Sequence, residues 1–287
     1  MSTVVPQIGS VAMATPIVWV VSRSHIRNHN SLVVGVMRDS LFDEIPKRVS
    51  NKRPFEVGRE ITDAEINALR SAPQSGGLAW RVVADPSHRR DLADLCKQAM
   101  ATEVSSVERN RETANWFRFS DRELRDRRDG FGLEQSGTDG AKKWFAETFV
   151  LSREKAKDPQ GAFAKGAVTQ TEDLGSTASI FAALVSNTNT RLDQVWAGRA
   201  YARVCLTASH LGLAMHPLSQ LLEEYAEMAP LQRIMKQTLG VADAQTVQML
   251  FRLGHAKPTP HSPRRDVSTL ILPFIKSANQ NYRRFEG

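Results

Sequence analysis

The sequence predicts an α+β domain, a sheet flanked by helices. Three observations carry the prediction. Amphipathic helical patterns dominate from residue 40 to about residue 170. A continuous apolar run, Ala178 to Ser186, then reads as a strand buried on both faces. Two more helices separate it from a last apolar strand, Gln248 to Leu253, closed by Gly254. The 41% hydrophobic and 24% charged content is that of a globular chain, and 287 residues suffice for one large domain with sizeable insertions.

Residues 1 to about 40 read as an arm, or the remnant of a longer N-terminal half. They hold one strand (Ile17–Val21), a polar stretch (Ser22–Ser31) and a second apolar run (Leu32–Val36). The run from Thr15 to Val21 lacks a basic leader and a small-residue cleavage site, so it reads as a strand and not as an export signal. No apolar run approaches the roughly 18–20 residues of a membrane span. From Ser40 to Glu44 a short helix starts, with acids in its first turn where the helix dipole favours them. A basic cluster, Arg48 to Arg53, follows, and Pro54 ends it. Thr62-Asp-Ala-Glu65 is a capping box whose helix buries Ile66 and Leu69. Ala72 to Ala79 is a loop, and Trp80 to Val83 a short strand. Asp85-Pro-Ser87 opens the next helix, with Leu92, Leu95, Cys96 and Met100 inward.

Residues 101 to about 170 are charged and helical, with aromatic knots at Trp116, Phe117 and Phe119 and at Trp144, Phe145 and Phe149. Two readings fit: a solvated helix pair packed on the main body, or a lid whose aromatics cover a pocket. The long helix Arg191 to His210 ends at Gly212 and runs into a short extended turn before Pro217. Val195, Ala200, Val204, Leu206 and Leu211 fall on its inner arc, and Ala197, Gly198, Ala200, Ala202 and Ala208 let another element or a flat ligand come close. By pattern alone a tightly packed core helix is the favoured reading, and the basic clusters at 48–53 and 262–265 shift it toward a bound phosphorylated, planar cofactor. Leu231 to Leu239 is an amphipathic helix, and a proline-spaced tail carries Arg264 and Arg265.

Net charge is +7 with a pI near 9.6. The basic residues alternate with acids and few aromatics interleave with them, which suits a small anion better than a nucleic-acid backbone. Cys96 and Cys205 sit in apolar helical patterns and read as buried free thiols in a reducing compartment. No spacing suits a metal, and there is no dinucleotide fingerprint, Walker loop or nucleophile elbow. If the chain is an enzyme, its reactive atom therefore belongs to a cofactor. Arg48, Ser50 and Lys52 alternate, so an extended turn presents all three on one face to a phosphate, and Arg264 or Arg265 completes the clamp from far along the chain.

In that order the motifs resemble the FMN-dependent nitroreductase family over residues 41 to about 273. The resemblance rests on Leu41 to Lys52 with its Arg-x-Ser-x-Lys motif, on Ala72-Pro-Gln-Ser75 before Trp80, on Trp196 to Pro217, on Leu250 to Gly254, and on Pro263-Arg-Arg265. The segments Arg48 to Phe55, Asp126 to Gly130 and Ser262 to Arg265 are similar to the Acg-like branch, whose members resemble two fused halves with a lid over the flavin. This chain then corresponds to the second half, with the first reduced to a stub.

The resemblance implies a nitroreductase-like fold, with a mainly antiparallel sheet flanked by helices and a helical lid insertion at about 101–170. It implies one FMN-binding domain over residues 41–287. FMN phosphate is then held by Arg48, Ser50, Lys52 and Arg264 or Arg265. The backbone of Pro217, Leu218, Ser219 and Gln220 passes the flavin ring. Pro73, Gln74 and Ser75 reach the flavin of a partner, which makes a homodimer the expectation. The implied activity is cytoplasmic electron transfer from NAD(P)H through FMN to nitroaromatic or quinone-like acceptors, with no side chain acting as general acid. A non-catalytic FMN-sequestering protein is the alternative on the same fold, and an interaction or nucleic-acid-binding protein that has lost the flavin is a third reading. Two departures bear on the choice. Gly76, Gly77, Leu78 and Ala79 stand where the family has Asn and Gln amides, and Ser219 and Gln220 stand where it has an acidic residue and a glycine.

Overall fold

The computed structural model describes residues 38–73 and 77–269, apart from the side chains of 149 and 150. The strand expected at Ile17–Val21 and the apolar run Leu32–Val36 lie outside the described residues, as do Gln74 and Ser75. A 3-10 turn, Phe42–Glu44, comes first. Helix α1, Asp63–Ser71, starts on the expected capping box: the Thr62 hydroxyl accepts from the Glu65 amide, and the Glu65 carboxylate accepts from the Thr62 amide. Strand β1, Ala79–Val83, leads into α2, Pro86–Val104, whose first turn is capped by the Asp85 carboxylate accepting from the Ser87 and His88 amides.

Three short helices follow: α3 (Val107–Trp116), α4 (Asp121–Arg127) and α5 (Gly140–Phe145). They are inserted before α6, Ala162–Ser176, which lies along α2. The approach is close at Gly175, where a Cβ would stand 2.8 Å from that of Ala93. Strand β2 (Ile180–Ser186), α7 (Arg191–His210), β3 (Ala214–Pro217), α8 (Ala229–Thr238) and β4 (Thr246–Gly254) complete the described chain.

The four strands form one antiparallel sheet in the order β1-β2-β4-β3. Strand β2 is buried at every residue, as its unbroken apolar run requires. Its side chains alternate between two cores. Phe181, Ala183 and Val185 pack with Leu92, Leu95 and Cys96 of α2 and Met235 of α8. Ile180, Ala182 and Leu184 pack with Leu69 of α1 and Ala200 and Val204 of α7. The sheet is therefore the middle of three layers, with β3 and the ends of α2 and α7 at one edge.

Helix α7 lies on the sheet through Ala197, Ala200, Val204 and Ala208. Val195, expected on the inner arc, is 53% exposed, while Leu206 and Leu211 are half-buried. The small residues, which permit the closest backbone approach, set the buried stripe, and Val195 falls outside it.

The insertion has a small core of its own. Phe117 is buried, and its ring meets those of Phe119, Phe131 and Phe163 edge-on at 4.9, 5.4 and 5.2 Å. Arg118, almost fully buried, donates to both Asp129 and the carbonyls of Asn115 and Phe117. Gly130, at φ +67°, is obligatory: a Cβ there would meet the Trp116 carbonyl oxygen at 2.1 Å. Trp144 and Phe145 remain more than half exposed.

Candidate functional site

The segment after the first turn is fixed at both ends. Glu44 is buried where Lys47 (2.9 Å) and the Ser209 hydroxyl (2.7 Å) donate to its carboxylate, which ties the turn to the end of α7. Further on, the Asn51 amide donates to the Met215 carbonyl, so the basic segment runs beside β3. The Asn51 side chain donates to the Lys257 carbonyl and accepts from the Arg53 amide. The buried Asn51 thus closes a local turn of the kind Asn side chains make with the amide two residues on.

That turn divides the three phosphate candidates. Arg48 and Ser50 line a cavity of about 190 Å³, whose other walls include Tyr201, Cys205, Ala208 and Ser209 of α7, Gly212, and Met215 of β3. Arg48 has no carboxylate partner among the described residues and lies near the Cys205 thiol, whose pKa it acts to lower. Burial pushes the Cys205 thiol up, against the lowering pull of Arg48, so it stays protonated at neutral pH. Burial raises the Tyr201 phenol well above its ordinary range too. The walls are therefore neutral, and the cavity's field comes from Arg48 and the nearby Lys47.

Lys52 turns elsewhere. Its ammonium stands 4.7 Å from the centre of the Phe131 ring, against the insertion. Burial lowers its pKa, opposed by the charge of Glu103. Glu103, near the end of α2, has its own pKa raised first by burial, with a hydrogen bond from Gln220 and the charges of Arg109 and Lys52 working the other way. One of its oxygens, Oε2, is buried without a hydrogen-bond partner. Lys52 and Glu103 feel each other's charge without forming an ion pair among the described residues. The basic segment and the segment after β3 therefore do come together, at Lys52, Glu103 and Gln220.

Of the other expected residues, Pro217 ends β3 opposite Phe251, and the Leu218 amide donates to the Leu250 carbonyl at 2.8 Å. Leu218 is buried, and Ser219 precedes a 3-10 turn over Gln220–Leu222. Pro73 follows Ala72, whose carbonyl accepts from Arg203 of α7. Arg264 and Arg265 are exposed, and Arg265 faces the insertion, where burial raises Asp129 but Arg118, then Arg127 and Arg265, bring its pKa below the usual carboxylate range.

The insertion closes over the basic segment. Arg53 pairs with Asp139 at 2.6 Å. Gly137, at φ +92°, lies so close that a Cβ would stand 2.2 Å from the Lys52 carbonyl oxygen.

Beneath lies a residue whose placement sequence reading missed. Arg252 of β4 is completely buried. It donates to the Arg53 carbonyl (2.7 Å), the Leu174 carbonyl at the end of α6 (3.0 Å) and Nδ1 of His216 (3.2 Å), and its guanidinium stacks on Phe55 at 3.7 Å. It has no carboxylate partner among the described residues, and burial lowers its pKa to about 9. His216, which accepts that bond, is held neutral: burial first, then Arg252 and Lys52, put its pKa well below the ordinary value. Arg252 thus joins the basic segment, α6 and β3.

A second cavity, of about 310 Å³, lies between the start of α2 and the end of α6. Its hydroxyls are spent on backbone carbonyls, and its arginines are balanced by Glu56 and Glu60, so it has no strong preference for a charged ligand.

No family model matches this sequence, and no curated protein sequence matches it. The structure is similar to solved structures that share little sequence with it. A nitroreductase with bound FMN from Bacteroides fragilis is 14% identical, with 82% of this chain and 99% of that chain covered and a TM-score of 0.48. Oxidised iodotyrosine deiodinase bound to FMN and 3-iodo-L-tyrosine is 12% identical, covering 82% and 98%, with a TM-score of 0.48. A nitroreductase with bound FMN from Desulfitobacterium hafniense is 15% identical, covering 82% and 99%, with a TM-score of 0.45. These are likenesses of chain path.

Proposed function

We propose that this chain binds FMN and is an FMN-dependent oxidoreductase of nitroreductase type, passing electrons from NAD(P)H to nitroaromatic or quinone-like acceptors. The observation that carries the reading is the cavity beside α7: Arg48, free of any described carboxylate, and Ser50 face into a small space walled by neutral groups. A phosphate needs fixed positive charge and hydroxyl or amide donors, and this donor set fits one. In this reading Arg48 and Ser50 hold the phosphate. Lys52, Gln220 and the backbone at 217–219 line the ring, and Arg264 and Arg265 remain outside the clamp. FMN, when bound, supplies hydride and single-electron chemistry. The chain's part is to orient the ring, exclude water beneath the insertion, and place the Lys52 ammonium where it favours added negative charge.

A homodimer belongs to the same reading. Phe42 and Ile45 of the first turn, which is tied to the end of α7, and Leu192 and Val195 near the start of α7 are each about half exposed or more, two apolar spots that a second copy would cover. The two buried free thiols suit the cytoplasm, and among the described residues no helix is long and apolar enough to cross a membrane.

One observation favours the storage alternative, a protein that holds FMN without turnover. The insertion is packed on the basic segment through Gly137 and the Arg53–Asp139 pair, as a lid that stays shut would be. Anaerobic addition of NADPH to FMN-loaded protein decides between the two. Rapid loss of the oxidised-flavin absorbance supports the reductase, and a flavin that stays oxidised supports storage. Failure to bind FMN at all sinks both.

A further inference from the structure

The second cavity, of about 310 Å³, takes no part in the proposed flavin site, yet its charges are sorted. Arg89 and Arg90, from the first turns of α2, line it on one side, and Glu56 and Glu60 reach it from the segment before α1. Among the described residues no ion pair joins the two sets. Glu56 pairs instead with Arg59, at 3.1 Å, which is not part of the wall. Arg89 is partly buried and fixed by the backbone: its Nη1 donates to the Ala178 carbonyl (2.9 Å) and the Ser179 carbonyl (2.7 Å). Its Nε is shut in without a partner, so Nη2, which makes no hydrogen bond among the described residues, is the edge left to serve the cavity. Arg90 commits only its Nε, to the Pro86 carbonyl at 3.2 Å. The hydroxyls complete the pattern. Ser176 donates to the Asp173 carbonyl (3.0 Å) and Ser179 to the Arg59 carbonyl (3.3 Å), so toward the cavity both present lone pairs alone.

Charged donors thus come from α2, and acceptors, charged and neutral, from the other walls. A ligand of one charge meets its own sign here as well as its partner. A ligand that carries both charges gains from each set and brings no net charge. We propose that this cavity binds an α-amino acid as its zwitterion, the carboxylate on Arg89 and Arg90 and the ammonium on Glu60 and the hydroxyl oxygens of Ser176 and Ser179. Val57, 84% exposed, and Ala93 add apolar wall, which suits an aliphatic side chain. The inference is independent of the FMN reading, because the two cavities share no residue.

The test titrates L-leucine, 4-methylpentanoate and 3-methylbutylamine into the full chain by calorimetry. The second lacks the ammonium, the third lacks the carboxylate, and all three share the aliphatic body. Leucine is expected to bind saturably and at least about tenfold more tightly than either analogue, the worth of one hydrogen bond to a charged group. Glu60→Gln, at an exposed position, should bring leucine down to the level of 4-methylpentanoate. Arg90→Gln, also exposed, should weaken leucine and 4-methylpentanoate together and leave 3-methylbutylamine unchanged. Absence of saturable leucine binding overturns the inference. So does 4-methylpentanoate binding as tightly as leucine, which would make this a site for anions. Leucine affinity unchanged in both variants overturns it too, since the amino acid would then sit elsewhere.

Discussion

Replacing Arg252 with Met tests how the basic segment, α6 and β3 are held together. The substitution keeps much of the volume and deletes the charge. The Arg53 carbonyl and Nδ1 of His216 lose their donor, while the Leu174 carbonyl keeps the Thr177 hydroxyl at 3.2 Å. At about 1–3 kcal/mol for each of these two acceptors, the loss lies between roughly 2 and 6 kcal/mol. Against that stands the cost of burying the guanidinium. Its pKa falls from 12.5 to about 9, and at 1.36 kcal/mol per pH unit this is worth roughly 5 kcal/mol, which the methionine recovers. The cation–π contact with Phe55 at 3.7 Å returns roughly 1–2 kcal/mol to the loss. The terms nearly cancel, so the methionine variant is expected within about 3 kcal/mol of wild type in urea, with an unchanged slope. Arg252→Lys should be less stable than the methionine variant, because it keeps a buried charge and one ammonium cannot serve three divergent acceptors as a planar fork does. A loss of more than about 4 kcal/mol in the methionine variant, or a lysine variant more stable than it, would refute the reasoning.

Two further expectations follow from the same region. His216 has a folded pKa well below its ordinary value, so the unfolded chain binds its proton first as pH falls. Stability is therefore lost progressively below about pH 6.5, the unfolded value, down toward the lowered folded value, and His216→Asn should flatten that acid limb in denaturant titrations. An acid limb of the same slope in the variant would assign it to other groups. Gly137→Ala combines an unfavourable φ of +92° with a Cβ 2.2 Å from the Lys52 carbonyl oxygen. It should release the insertion from the basic segment and expose residues 128–157 to limited proteolysis, with a loss of more than about 2 kcal/mol. Wild-type resistance would show that the docking tolerates the side chain.

What could be read in the sequence divides by the range of the interactions involved. The caps at Thr62 and Asp85 are local signals, and both helices start where those residues place them. The apolar run of β2 announces burial on both faces and has it. The cavity of Arg48 and Ser50 also follows from a local motif. Lys52 departs from them because the Asn51 side chain caps the Arg53 amide, and simple alternation does not foresee a side chain bending its own backbone. Arg252 looks like the polar member of an alternating strand, and its burial depends on Arg53, Leu174 and His216, far away in the chain. The same holds for Glu103, one acid among many on a charged helix until Gln220 and Lys52 are folded against it. On α7 the hydrophobic pattern placed Val195 inward, but the sheet selects the small residues and leaves it outside.

The central claim is that Arg48 binds the phosphate of FMN. It is tested most directly by titrating FMN into wild type and Arg48→Ala while following the flavin absorbance, with thermal melts of both. The account predicts saturable binding by wild type and a loss of about 1.5–3 kcal/mol in the variant, roughly ten- to a hundredfold in Kd, with little change in melting temperature. Equal FMN affinity in the two proteins, or no saturable binding by wild type, would contradict it.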